Sequence, residues 1–132
     1  MKKMRIYIVV NKNKESIMDN LNLCLVEGYL AANPVIRYVS GGIAVCNFSV
    51  AINKTRGKGD EAKKEVSFFD VTTWAKLAET CEKFLSKGSH VLVSGYLRQS
   101  RWQDKNGASR FSVNIEGREI KFLSPKTEKK AA

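Results

Sequence analysis

The sequence is poor in the residues that most chemistry needs. It has a single histidine, two prolines and three cysteines in 132 residues. Cys24, Cys46 and Cys81 are odd in number and widely spaced, and they form no Cys-x-x-Cys pair. A disulfide framework or a zinc ribbon is therefore not expected, and the three read as buried reduced thiols of a cytoplasmic protein. No apolar run approaches the roughly 20 residues of a membrane-spanning helix. Ile6 to Val10, behind Lys2, Lys3 and Arg5, is too short for a secretory core, and Asn11-Lys12-Asn13-Lys14 stands where a small-residue cleavage site would follow. His90 has no cysteine or carboxylate at ligand-like spacing, which favours a structural or solvent-facing role over metal binding. Nucleophile-elbow, zinc-protease and phosphate-loop motifs are missing, and the acidic residues are scattered. The expectation is a binding protein without catalysis, cofactor or metal.

What the chain has in excess is positive charge. Its formal charge is +10, from 23 Lys and Arg against 13 Asp and Glu, which points to a polyanionic partner. Half of it lies at the ends. Residues 1–20 carry five basic and two acidic groups, and residues 126–132 carry three and one, leaving +5 for the stretch between. Periodic hydrophobicity begins near Leu21, and Ser124-Pro125 closes the last apolar segment. This predicts a loose extension over 1–20, one domain over 21–124 and a short basic tail over 125–132.

Within the domain, alternation of side chains predicts five strands and one helix. The strands are Asn22 to Ala31, Ile43 to Asn53, Val66 to Trp74, Ser89 to about Arg98, and Arg110 to Phe122. Leu21, Leu23 and Leu25 share a face of the first; Cys46, Phe48, Val50 and Ile52 share a face of the second. From Ala75 to Lys87 the period changes, and Leu77, Ala78, Cys81, Phe84 and Leu85 form one apolar stripe of a helix that Lys87-Gly88 should stop. Asp104 to Gly107 reads as a hairpin turn, with Asn106-Gly107 supplying positive backbone angles. The order is that of an all-β OB-fold, a five-stranded barrel with one helix between strands three and four, whose face and loops bind oligonucleotides.

The third strand carries the sharpest binding signal. Period two puts Val66, Phe68, Asp70, Thr72 and Trp74 on one side. A face that mixes two large aromatics with a carboxylate makes a poor core and a plausible wet surface, on which bases can stack. Strand aromatics also commonly fill cores, so this strand alone leaves Phe68 and Trp74 open between the two roles. A second cluster gathers Arg98, Arg101, Lys105 and Arg110 around Trp102, against Asp104. Rings interleaved with cations suit a phosphate backbone whose bases lie on aromatic planes. The segment Lys54 to Lys64 adds five cations against Asp60 and Glu61, and it also fits an ordinary solvated surface.

Five segments, NLCLVEGYL (22–30), NPVIRY (33–38), GIAVCNFSVA (42–51), FFDVTTWAKLAE (68–79) and KGSHVLVSGYLR (87–98), stand in the order and spacing of a known family. From about Met18 to Pro125 the chain resembles the bacterial single-stranded DNA-binding proteins of the homotetrameric type. The resemblance implies a cytoplasmic, nucleoid-associated tetramer that coats single strands during replication, recombination and repair. It implies stacking on Phe68, Trp74 and Trp102 and phosphate contacts from Lys54, Arg56, Arg98, Arg101 and Lys105. Asn22 and Arg37 also match, with structural and DNA-facing roles mixed. Two features depart from the family. Arg56 stands near a position where many relatives carry a further aromatic. The sequence ends in a basic stub rather than the acidic tip that recruits replication and repair proteins. The second departure leaves room for an alternative, a tailless accessory module of the primosome type that acts mainly through protein contacts.

Overall fold

The computed structural model describes residues 19–123; most of the expected N-terminal extension and all of the expected basic tail lie outside the described residues. Six strands and one helix follow in the order β1 (Cys24–Leu30), β2 (Val35–Val39), β3 (Ile43–Arg56), β4 (Lys63–Trp74), α1 (Ala75–Phe84), β5 (His90–Gln103) and β6 (Ser109–Phe122), with a short 3-10 turn at Gly59–Glu61 between β3 and β4. β1 pairs antiparallel with both β5 and β3, β5 with β6, and β3 with β4. The ring closes through a parallel contact of β4 with β6, made by only two residue pairs, Val71 with Ile115 and Thr72 with Glu116.

The five ring strands are the five that alternation predicts, and they form the OB-fold barrel. β2 is the addition: it hangs outside the ring on β3. In chain order the helix therefore falls between β4 and β5, which is still between the third and fourth strands of the barrel.

The barrel is filled by one face of each strand. Cys46, Phe48 and Val50 from β3 meet Val71 and Thr73 from β4, Val91 and Val93 from β5 and Ile115 from β6, and Ala78, Cys81 and Leu85 complete the core from α1 and the residue after it. The buried Thr73 hydroxyl donates to the Cys46 carbonyl at 3.1 Å, so it carries no unmet polar cost. Burial, with the neighbouring Cys46 adding, pushes the Cys81 thiol up to about 12. Cys46 and Cys81 are buried and in no disulfide, and Cys24 is half-buried.

Three local expectations change. Leu21, Leu23 and Leu25 do share a face, but it is the solvent side of β1, and the core side is Cys24, Val26, Gly28 and Leu30. The helix stops at Phe84 rather than Lys87, because Leu85 is already extended. Gly88 does take a left-handed φ of 90°, but it does so inside the next turn, where Ser89 N–H donates to the Ser86 carbonyl and Gly88 N–H to that of Leu30. The helix begins abruptly: Trp74 is extended and Ala75 has a φ of 55°, a left-handed conformation that costs a residue with a Cβ about 1 kcal/mol. That bend turns the chain off the end of β4. Among the described residues no helix is long and apolar enough to cross a membrane.

Candidate nucleic-acid interface

Register decides which side chains can meet one ligand. Residues paired across neighbouring strands lie on the same face. β3 and β4 pair Val45 with Trp74, Asn47 with Thr72, Ser49 with Asp70, and Ala51 with Phe68. Thr72 pairs in turn with Glu116 of β6. β6 and β5 then pair Glu116 with Tyr96, Asn114 with Arg98, Ser112 with Ser100, and Arg110 with Trp102. Phe68, Trp74, Arg98 and Trp102 therefore share the outward face of the sheet. Phe68 is 63% exposed and Trp102 50%. Trp74 is 38% exposed and sits opposite fully buried Val45, so it is the most embedded of the three rings.

The remaining predicted cations are not all there. Lys54 pairs with Glu65 and Arg56 with Lys63, continuing the row that holds Cys46, Phe48 and Val50. Arg56 is also occupied, its Nε 3.1 Å from the Glu65 carboxylate. Arg101 pairs with Phe111 on the face opposite Trp102 and donates from Nε to the Gln99 side-chain oxygen at 2.8 Å. Of the five phosphate candidates only Arg98 stands with the rings on the strands themselves, 3.8 Å from the nearly buried Glu116 carboxylate; Arg110, paired with Trp102, shares that face but is held by Asp104. Lys105 lies in the hairpin tip beyond both faces.

The expected loop at 54–64 is in fact mostly ribbon. β3 runs to Arg56 and β4 starts at Lys63, so cations alternate between the two sides. On the ring side this ribbon offers Lys64, and β2 offers Arg37, which pairs with Val45. Reading the segment as two strands would have found Lys64. Phe111 is a further ring that the sequence reading passed over, 66% exposed beside Arg101 on the far side of the hairpin.

Between the β2–β3–β4 sheet and β6 lies an open groove of about 490 Å³, lined among others by Arg37, Asn47, Ser49, Asp70, Thr72 and Asn114. Asn22, by contrast, is structural. Its side-chain amide donates to the Leu97 carbonyl at 2.8 Å and its oxygen accepts the Leu97 N–H at 2.9 Å, so it extends the β1 edge along β5. His90 is stacked on Tyr29 with centroids 4.4 Å apart and bonds to Glu27.

The hairpin that carries Trp102 is fixed by Asp104. Its carboxylate accepts from Arg110 Nε at 3.0 Å and from the backbone N–H groups of Asn106 at 2.9 Å and Ala108 at 3.0 Å. Of the expected positive angles only Gly107 has one, φ 79°, which makes the connection a turn closed by a left-handed glycine rather than a two-residue hairpin loop. The Arg110 guanidinium, followed by the Ala108 N–H, holds the Asp104 carboxyl below the usual carboxylate range. A depressed pKa means that the turn is supported above the ordinary carboxylate value and loses that support as pH falls through the lowered one. NMR titration should find the Asp104 carboxyl midpoint below the ordinary value, with the Asn106 and Ala108 amide shifts moving at the same pH. Amide shifts indifferent to that titration would contradict this account of the turn.

The family described as "Single-strand binding protein family" matches residues 21–123. The chain is 41% identical over 106 residues to the single-stranded DNA-binding protein of Treponema pallidum, covering 80% of this chain and 60% of that one. It is 39% identical over 109 residues to single-stranded DNA-binding protein 2 of Chlorobaculum tepidum, covering 81% and 74%. The chain thus spans about three fifths to three quarters of the length of these relatives. A solved Plasmodium falciparum SSB complex with ssDNA superposes with a TM-score of 0.73 over 81% of this chain and 98% of that one, at 24% identity, a likeness of fold.

Proposed function

Because this chain belongs to the single-strand binding protein family, we propose that it binds and protects single-stranded DNA in replication, recombination and repair, in the cytoplasm and on the nucleoid, without catalysis. The observation that carries this reading is the common face of Phe68, Trp74, Trp102 and Arg98, which three separate strand pairings assemble. Aromatic rings accept any base by stacking, and cations follow the phosphates. Arg37 and Lys64 belong to the same face and join Arg98 as phosphate contacts; Lys105 at the hairpin tip can reach a strand from the end. Lys54, Arg56 and Arg101 serve a strand only if it wraps past the edge of the ribbons.

We further propose a homotetramer. Leu23, just before β1, is 70% exposed and Leu25 63% on its solvent side, where Tyr29 continues the row. Such a stripe is costly to leave in water and fits a second copy of the same strand.

Titration with oligo-dT, following tryptophan fluorescence at two salt concentrations, tests the reading. Trp74 and Trp102 should be quenched, and the three or so cations on the ring face should give a log–log salt slope of about −2 to −3. Unquenched fluorescence with salt-independent binding would refute it. Light scattering on the same samples checks the tetramer.

A further inference from the structure

We propose that the groove lined by Asp70, Asn47 and Asn114 is a base-edge site that favours guanine, with Asp70 its specificity-determining residue; this rests on the single-strand reading above. Asp70 is exposed and points outward between Phe68 and Thr72, so it is the next outward residue after a stacking ring, about 6.6 Å along the strand. Among the described residues no ion pair or hydrogen bond ties up its carboxylate. A carboxylate with no partner among the described residues, in the middle of a DNA-binding face, repels phosphate. The strand's backbone must then pass along the cationic rim, at Arg37 and Arg98, and what enters the groove beside Asp70 is a base.

Chemistry then chooses among bases. An ionised carboxylate is a pure acceptor with two parallel oxygens. Guanine alone offers two adjacent donors, N1–H and the N2 amino group, in matching parallel geometry. Adenine and cytosine present one amino donor beside a ring-nitrogen acceptor, and thymine presents one N–H between two carbonyls, so in each the second carboxylate oxygen faces another acceptor. The groove also supplies the complementary group: the side-chain amides of Asn47 and Asn114, which line it with Asp70, can donate to the guanine O6. Stacking on Phe68 gives general affinity, and this edge contact adds a preference on top of it.

The test is competition binding of the full chain with three strands: oligo-dT, the same strand with three central dG residues, and the same strand with deoxyinosine at those positions, which lacks the N2 amino group. The dG strand should bind about fivefold or more tighter than the other two, the low end for a bidentate base contact. In Asp70→Asn the ratio should fall to about one while oligo-dT binding holds or strengthens, because a negative charge leaves the face. Equal binding of all three strands by the wild type, or a dG preference that survives Asp70→Asn, overturns the proposal while leaving general strand binding intact. Failure of the wild type to bind oligo-dT removes both readings together.

Discussion

Phe68→Ala and Trp102→Ala should each weaken oligo-dT binding by about tenfold, with the same factor for strands of other composition. A base stacked on an aromatic ring is worth about 1–3 kcal/mol, and every base has a face to stack. Both rings are at least half exposed, so truncation removes little packing and should move stability by no more than about 0.5 kcal/mol. The two sites are also independent in construction. Phe68 stands on the β3–β4 ribbon and Trp102 on the β5–β6 ribbon, and these ribbons pair directly at only two positions, Val71 with Ile115 and Thr72 with Glu116, neither of which includes a ring residue or its cross-strand partner. The losses should then add in free energy, and the double variant should bind about a hundredfold more weakly. Trp74 is a less clean probe, since it also ends β4 at the start of α1. Fluorescence titration of the double variant still reports through Trp74. Undiminished affinity in both single variants would sink the stacking account.

The legibility of this face in the sequence followed the strength of alternation. β3 reads Cys46-Asn47-Phe48-Ser49-Val50, a contrast of apolar and polar at every step, and its core side was unambiguous. β2 reads Val-Ile-Arg-Tyr-Val directly after Pro34, with no such contrast, and only its pairing with β3 reveals it. Period two puts Phe68 and Trp74 on one face with Asp70 but leaves that face open between core and surface; the strand pairings and exposures decide it. Which cations join them is not legible in the sequence, because without pairing the basic stretches at 54–64 and 98–110 have no sides. Once both are strands, Arg98 and Trp102, four residues apart, face together and Arg101 faces away. Leu21, Leu23 and Leu25 show the limit of period alone: an exposed apolar stripe has the same period as one that faces a core, so the sequence places them on one face without saying which. Asp70 is legible as an oddity on an aromatic face; its groove neighbours Asn47 and Asn114 lie 23 and 44 residues away in sequence, and only the β3–β4 and β4–β6 pairings bring them together.

Gly95→Ala should cost the most stability of any single methyl added to this fold. A Cβ at Gly95 would lie 1.8 Å from the Glu116 carbonyl oxygen and 2.9 Å from its carbon. Both are backbone, so no side chain can swing aside. The position coincides with an irregularity in the β5–β6 register at Ser94/Gly95, where Gly95 faces Gly117. Glu116 is at the same time one of the only two residues of β6 that pair with β4. Pushing the Glu116 carbonyl away therefore strains the narrowest seam of the barrel as well as the β5–β6 ladder. Overpacking commonly costs 1–3 kcal/mol, and a backbone clash at a closure point belongs at or above the top of that range, so we expect about 3 kcal/mol or more. For a domain of this size that is a fall in Tm of about 12 °C or more. Gly41→Ala is the control. Its φ of 83° is strained for alanine, but nothing lies within 4 Å of the added Cβ, so it should lose only about 1 kcal/mol. A Gly95→Ala melting point equal to that of Gly41→Ala would refute the close-approach account. DNA binding should fall with the fold in Gly95→Ala, because β5 beyond Gly95 carries both Arg98 and Trp102, and a ribbon freed from the seam no longer holds them on the face they share with Phe68.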